Sequence, residues 1–138
     1  MSLRETVFVD AGAWYALADR NDANHRKAAK IYPSLLSTAG RLVTSNLVVA
    51  ETYVLILHEL GHAAALSFLE RIKTSPRIAL IYSTEDIESE AQTLLGKYRD
   101  HDFSYADAVS FTIMKRQKIV KAFAFDRHFL TAGFTTVS

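Results

Sequence analysis

The sequence has no cysteine among its 138 residues, only two prolines and five glycines, and no long apolar run. Without cysteine there are no disulfides and no thiolate ligands, so any metal must be held by oxygen atoms or imidazole rings. No apolar stretch approaches the roughly 20 residues that a membrane-spanning helix needs. Gly-rich phosphate loops and the Gly-x-Ser-x-Gly turn are also absent, which argues against nucleotide binding and a Ser-His-Asp enzyme.

The charges nearly balance. Sixteen lysines and arginines stand against fifteen aspartates and glutamates, which leaves a formal net charge of +1. A dedicated nucleic-acid binder is usually more basic, although these cations can still be gathered on one surface. The length and the hydrophobic fraction of 49% fit one domain with a proper core, over residues 1–138. Because residues 1–5 lack the layout of a signal peptide, we expect a cytoplasmic protein that does not enter membranes.

Short apolar runs alternate with longer helix-favouring segments along the chain. Strands are predicted at 6–9, 42–44, 78–82 and 120–125, with a weaker one at 134–137. Helices are predicted at 12–19, 23–38, 46–60, 62–74, 85–98 and 105–117. This alternation predicts an α/β fold, a single three-layer α/β/α domain whose central parallel sheet has four to five strands. Gly40, Gly61 and Gly133 are predicted to lie at helix ends or turns.

Two of the predicted strands lead into an aspartate. The apolar run 6–9 precedes Asp10, and the run 122–125 precedes Asp126. The carboxyl ends of parallel strands meet at one edge of the sheet, where ligands bind, so we expect the two carboxylates to lie close together. Like charges held together need a cation or a proton between them. The alternative for each aspartate is that it only caps the helix that follows.

Glu51 is a third candidate. It falls in the helix that Ser45 or Asn46 opens, and an apolar stripe through Leu47 and Leu55 predicts that its carboxylate lies on the buried face. A carboxylate in that position needs a partner or a metal. The alternative is an edge position from which the carboxylate reaches solvent.

Asp107 is a fourth candidate, three residues after Ser104. This spacing predicts a capping box, and capping alone would explain the aspartate. The functional interpretation is that the helix N-terminus presents one more carboxylate to the same cleft. Asp102, just upstream, is a second-tier acid that has the alternative of an ordinary surface position.

The ordered set of these motifs resembles PIN-domain ribonucleases, particularly the VapC-type toxins of bacterial and archaeal toxin–antitoxin pairs. The matching segments are VFVDAGAWYAL at 7–17, NDANH at 21–25, SNLVVAE at 45–51, FSYADA at 103–108 and AFDRHF at 124–129. Each segment alone is a weak signal, but together they cover essentially the whole chain in order. One departure is that many relatives carry Thr-Ser after the first aspartate, where this chain has Ala11 and Gly12.

The resemblance implies a metal-dependent endoribonuclease, and a noncatalytic RNA-binding or complex-forming PIN domain is the alternative. The implied catalytic residues, which also bind Mg²⁺ or Mn²⁺, are Asp10, Glu51, Asp107 and Asp126. Of these, Asp10 and Asp107 are the expected direct ligands. Receiver-like phosphoacceptor domains and haloacid-dehalogenase-type enzymes fit less well, since a lysine is expected near Asp126 for the first and an aspartate at Gly12 for the second.

The resemblance also implies partners: an RNA substrate, a small antitoxin protein and a second copy of the chain in a homodimer. RNA needs cations along its path, and basic residues lie near the acids in sequence. The candidate RNA-binding residues are Arg99, Lys115, Arg116, Lys118, Arg127 and His128. A solvated helix face or loop is the alternative for each of them.

Overall fold

The central sheet has five parallel strands in the computed structural model, which describes residues 5–137. The strands are β1 (Thr6–Val9), β2 (Arg41–Ser45), β3 (Ile78–Ile81), β4 (Lys121–Phe123) and β5 (Thr135–Val137). Their order across the sheet is β3-β2-β1-β4-β5, and every neighbouring pair is parallel. The chain order therefore reverses between β1 and β4. In open parallel sheets such a switch point is where ligands bind.

Seven helices in the described part of the chain cover the two faces of this sheet. They are α1 (Ala11–Ala18), α2 (His25–Thr38), α3 (Asn46–Leu60), α4 (His62–Thr74), α5 (Glu85–Lys97), α6 (Tyr105–Arg116) and α7 (His128–Thr131). α1 packs against α2 and α3, α3 against α4, and α5 against α6. The predicted three-layer α/β/α fold with a parallel sheet is confirmed.

β1 forms the centre of the hydrophobic core. Val7, Phe8 and Val9 are all at most 2% exposed, because β1 has a strand on each side and helices over both faces. This position explains why its apolar run is uninterrupted. Phe8 packs against Phe129 with ring centroids 6.2 Å apart, and Phe129 packs edge-on against Phe111 at 5.1 Å. These rings fix β1, α6 and α7 relative to one another.

Glycine permits two of the connections between elements. Gly61 lies between α3 and α4 at φ 94°, and its N–H donates to the carbonyls of Ile56 and Leu57. Gly133 follows α7 at φ 100° and leads into β5. Both backbones are left-handed, a conformation that other residues adopt only with strain. The predicted placement of these two glycines at helix ends and turns is confirmed.

Beyond shifts of one or two residues at the ends of other elements, two differences from the prediction affect the segment around Asp126. β4 ends at Phe123 instead of continuing to residue 125, so Ala124 and Phe125 form a loop before Asp126. Ala124 is nevertheless buried, which shows that an apolar run reports burial and not strand pairing. α7 was not predicted, because four residues are too few to show a helical period.

The structure bears on two further expectations. No helix within residues 5–137 has the length and apolar character needed to cross a membrane. The predicted domain 1–138 includes residues 1–4 and 138, which lie outside the described residues. Most of the segment behind the signal-peptide expectation lies there too.

Candidate metal centre

Asp10 lies at the end of β1, directly before α1. Its backbone N–H donates to the carbonyl of Phe123 at the end of β4, 3.0 Å away. Its own carbonyl accepts the N–H groups of Ala13 and Trp14 and so begins α1. The residue is only 6% exposed. Asp10 is thus fixed at the switch point between the two central strands.

Asp107 lies in the first turn of α6 and forms the predicted capping box with Ser104. The Ser104 hydroxyl accepts the Asp107 N–H, and Asp107 Oδ2 accepts the Ser104 N–H, both at 3.0 Å. Asp107 is 7% exposed. Capping and a place in the cleft are therefore not alternatives for this residue. The cap is what holds the carboxylate in the cleft.

Asp126 follows β4 after the short loop and is exposed. Its Oδ1 accepts the backbone N–H of His128 at 3.0 Å, so it caps the start of α7 from two residues upstream. Potential ligand atoms of Asp107, Asp126 and His128 all lie within 4.8 Å of one another. The structure therefore brings the exit of β4 and the N-terminus of α6 to one place.

Glu51 is exposed, so its predicted place on the buried face of α3 is wrong. The face that α3 buries carries Val48, Thr52 and Ile56, one position away from the predicted stripe. Partial desolvation nevertheless raises the pKa of the Glu51 carboxyl, and the charges of Asp107 and Asp126 raise it further. The Glu51 carboxyl group therefore lies on the solvent side of the cleft, near Asp107 and Asp126.

The electrostatics of Asp10 show that the other three acids lie near enough for their charges to act on it. The pKa of Asp10 is raised to about 8, chiefly by burial and next by the charge of Asp126. The Ala11 backbone N–H lowers the pKa, whereas the charges of Asp107 and Glu51 raise it again. At neutral pH this carboxyl keeps its proton unless a cation takes the proton's place. The structure therefore brings together all four acids, one each from β1, α3, α6 and the loop after β4.

His128 also belongs to this cluster, and sequence reasoning had assigned it only to RNA. Its Nδ1 lies 2.7 Å from Asp107 Oδ2. Burial lowers the pKa of His128, but the charge and hydrogen bond of Asp107 and the charges of Asp126 and Asp102 outweigh it and raise the pKa. The two contacting residues are 21 positions apart, so no local sequence pattern signals the contact.

Asp102 stands on the rim of the cluster. Its side chain is fully exposed, and its Oδ1 lies 3.6 Å from His128 Nε2. It touches the acids only through that imidazole. Its second-tier rank stays a prediction.

The structure separates the predicted RNA-binding cations into two groups. Arg127 and His128 directly follow Asp126, and Arg99 is exposed in the segment that leads to Asp102. Lys115, Arg116 and Lys118 instead lie at the far end of α6, about 13 Å along the helix from Asp107. Arg116 is also paired with Glu90 of α5 at 3.1 Å. The second group is not brought to the cleft.

The parallel sheet and the acids at its switch point are matched by a known protein family. Residues 7–134 match the PIN domain family, and the chain belongs to that family. The 23S rRNA-specific endonuclease VapC20 of Mycobacterium tuberculosis is similar to it over 131 residues at 34% identity. Those residues cover 95% of this chain and 97% of that relative.

Solved structures resemble this chain as well. The crystal structure of Mycobacterium tuberculosis VapC20, a toxin that cleaves the sarcin–ricin loop, matches with a TM-score of 0.88 over 95% of this chain and 98% of that one, at 34% identity. VapBC2 from Rickettsia felis, bound to a DNA fragment from its promoter, has a TM-score of 0.70 and 10% identity over 96% and 97% of the two chains. At that identity the second match shows the fold alone.

Proposed function

We propose that this protein is a metal-dependent endoribonuclease that cleaves RNA phosphodiester bonds and acts as the toxin of a toxin–antitoxin pair. The observation that carries the proposal is the convergence of four carboxyl groups from separate elements. Burial, together with the charges of the other three acids, raises the pKa of Asp10 to about 8. A noncatalytic RNA binder gains nothing from negative charge concentrated where phosphates dock. The cluster therefore favours the catalytic function over that alternative. The proposal treats the whole chain, residues 1–138, as one nuclease domain.

The donor set fits Mg²⁺ or Mn²⁺. Carboxylate oxygens are the ligands that these hard cations prefer, and the described cluster offers them from four positions. Asp10 and Asp107, the two buried acids, would hold the metal, and Glu51 and Asp126 would contact it through water or hold a second ion. When bound, the cation lowers the pKa of water and neutralises charge on the phosphate.

The protein's own residues supply position and charge. Asp10 is fixed by β4 and α1, and Asp107 by its cap, so neither carboxylate has to be ordered when substrate arrives. Glu51 and Asp126 lie on the solvent side, where they can orient the attacking water. We expect products with a 5′-phosphate and a 3′-hydroxyl.

Ribosomal RNA is the first substrate to test, because VapC20 is named as specific for 23S rRNA. Arg99 and Arg127, the exposed arginines near the acids, are the cations best placed to meet RNA phosphates. A DNA oligonucleotide added to the substrate panel decides whether DNA is also cut. A toxin that acts on RNA would work in the cytoplasm.

An apolar groove supports an antitoxin partner. Its volume is about 310 Å³, and Trp14, Leu17, Tyr32, Phe68 and Ile72 of α1, α2 and α4 contribute to its lining. Trp14 lies one helical turn after Asp10, about 6 Å along α1, whereas Ile78, at the amino end of β3, lines the groove on the side away from the acids. An amphipathic segment of the antitoxin would fill the groove and place a basic side chain among the carboxylates. That cation would exclude both metal and substrate.

We also propose a homodimer. Large apolar side chains are exposed near the junction of α3 and α4: Val54, Leu55, Leu60 and Leu66, at 39–48%. Contiguous exposed apolar residues commonly mark protein interfaces. Light scattering of the purified chain tests this, with Leu55→Glu as the disrupting variant.

The function is tested by incubating the protein with tRNA, 23S rRNA and a sarcin–ricin stem-loop in Mg²⁺, Mn²⁺ or chelator. We expect metal-dependent cleavage by the wild type and none by Asp10→Asn. In cells, the lone chain should arrest growth, and a small neighbouring gene product should copurify and restore growth. A folded protein that cleaves none of these RNAs and is harmless to cells would favour the noncatalytic alternative.

A further inference from the structure

His128 contacts two acids of the cluster at once. Its Nδ1 is 2.7 Å from Asp107 Oδ2, and its backbone N–H donates to Asp126 Oδ1 at 3.0 Å. Asp107 lies on α6, whereas Asp126 lies on the loop after β4. One residue therefore ties together two acids that reach the cleft from different elements.

The hydrogen bonds of Asp107 converge on one of its two oxygens. Oδ2 accepts the Ser104 N–H at 3.0 Å as well as the Nδ1–H of His128. A carboxylate held by two donors on one oxygen cannot rotate without breaking both bonds. Oδ1 is then the oxygen left to meet a cation. Nδ1–H donates in the charged imidazole and in the neutral tautomer that carries its proton on Nδ1, which is the tautomer that a carboxylate acceptor favours, so this arrangement needs no particular charge on the ring.

The imidazole ring is itself fixed by its surroundings. Phe103 lies edge-on to it with centroids 5.6 Å apart. The next residue, Phe129, is fully buried and packs on Phe111, so the backbone of α7 cannot turn away. Neighbours that lock a side chain in this way are what a positioning role requires.

We propose that His128 is a positioning residue, which holds the Asp107 carboxylate so that its Oδ1 faces the metal site. The inference rests on the proposed metal site and assigns it a support that the acidic motifs do not contain. Hydrogen-bond partners of metal ligands typically change metal affinity by about 10- to 100-fold when they are removed. Direct phosphate binding by His128 is the competing role, and so is direct metal ligation through Nε2.

Three substitutions separate these roles. Asparagine places its amide near the position of Nδ1, where the N–H can donate to Asp107, and glutamine places its amide near Nε2, where the oxygen can ligate a metal. Mn²⁺ binding is measured by calorimetry on metal-free protein without RNA, and cleavage is measured separately. We expect His128→Ala to weaken Mn²⁺ binding about 10-fold or more. His128→Asn should restore binding to within about 3-fold of the wild type, and His128→Gln should not. Leu130→Ala, which trims an exposed side chain of the same helix, is the matched control and should bind normally.

The outcomes distinguish this inference from the proposed function. Failure of the wild type to bind Mn²⁺ overturns the metal site itself. If the wild type binds and His128→Ala binds equally well, only the positioning role is overturned. Rescue by His128→Gln and not by His128→Asn overturns it in favour of Nε2 ligation. Normal Mn²⁺ binding with slower RNA cleavage overturns it in favour of phosphate contact. Should His128→Ala fail to fold, the contrast between Asn and Gln decides alone.

Discussion

The Thr44 hydroxyl on β2 donates a hydrogen bond to the carbonyl of Val9, 2.9 Å away, on the residue before Asp10. The same hydroxyl accepts the indole N–H of Trp14 at 3.2 Å. All three groups are buried, so β2, the end of β1 and the first turns of α1 are joined by one dry hydrogen-bonded chain. These two hydrogen bonds fix the backbone at Val9, directly before Asp10.

Replacing Thr44 by valine should therefore destabilise the protein, because it leaves the buried Trp14 N–H without an acceptor. We expect the free energy of unfolding to fall by about 1–3 kcal/mol. Thr52→Val is the matched control: Thr52 is equally buried, but its hydroxyl only donates to the Val48 carbonyl within α3. The control should cost less than about 1 kcal/mol. Urea denaturation measures both, and equal losses would refute the role given to the Thr44 chain.

The pKa of Asp10 predicts how the stability of the metal-free protein depends on pH. The folded state keeps the proton on Asp10 up to a pH of about 8, whereas a carboxyl of ordinary pKa 3.8 loses it in the unfolded state. The folded state thus binds more protons between these values. Below pH 4 the protonated Asp10 does not lower the stability of the folded state. As the pH rises from 4 to about 8, the free energy of unfolding falls by at most about 1.4 kcal/mol per pH unit.

Asp10→Asn should remove this loss of stability at high pH. In chelator at pH 7.5, its melting temperature should exceed that of the wild type, because the amide does not ionise beside Asp126, Asp107 and Glu51. The difference should disappear near pH 4. Asp100→Asn, at a side chain that is 84% exposed, should show no such pH-dependent difference. A less stable Asp10→Asn protein at pH 7.5 would contradict the electrostatic account.

Parts of this arrangement were open to prediction from sequence and parts were not. β1 was predicted with its observed bounds, since its unbroken apolar run reflects burial on both faces. The buried stripe of α3 was misplaced, because it includes Thr52, whose hydroxyl is satisfied within the helix and behaves as a core residue. Leu55, one of the residues that suggested the stripe, is exposed instead. Apolar spacing thus identified the helix but not its inward face.

The acids and the histidine of the site also differ in how far the sequence predicts their positions. Asp10 and Asp107 follow local signals, namely a strand end and a capping box, that carry over directly into the fold, whereas Asp126 lies in the loop after β4 and not at the end of the strand. The contact between His128 and Asp107 depends instead on the packing of α7 onto the core through Phe129. Tertiary contacts of this kind have no sequence period.

Gly12 allows a test of the departure from the family motif. It is exposed on the first turn of α1, and a Cβ atom placed there meets nothing within 4 Å. Gly12→Ser should therefore fold normally, with a gain of up to about 0.5 kcal/mol from helix propensity. We expect the added hydroxyl to raise Mn²⁺ affinity several-fold by orienting Asp10. Gly12→Ala adds the Cβ without the hydroxyl, and an equal gain in affinity from this variant would exclude the hydroxyl as the cause.

The central claim is that acids from four elements form one metal site, and calorimetric titration of Mn²⁺ into metal-free protein tests it most directly. The wild type should bind, Asp10→Asn and Asp107→Asn should each lose about 10-fold or more, and Glu51→Gln and Asp126→Asn should lose less. Asp102→Asn, on the fully exposed rim residue, should stay close to the wild type. Circular dichroism confirms that each variant is folded. A wild type that binds no Mn²⁺, or four variants that bind it as the wild type does, would contradict the account.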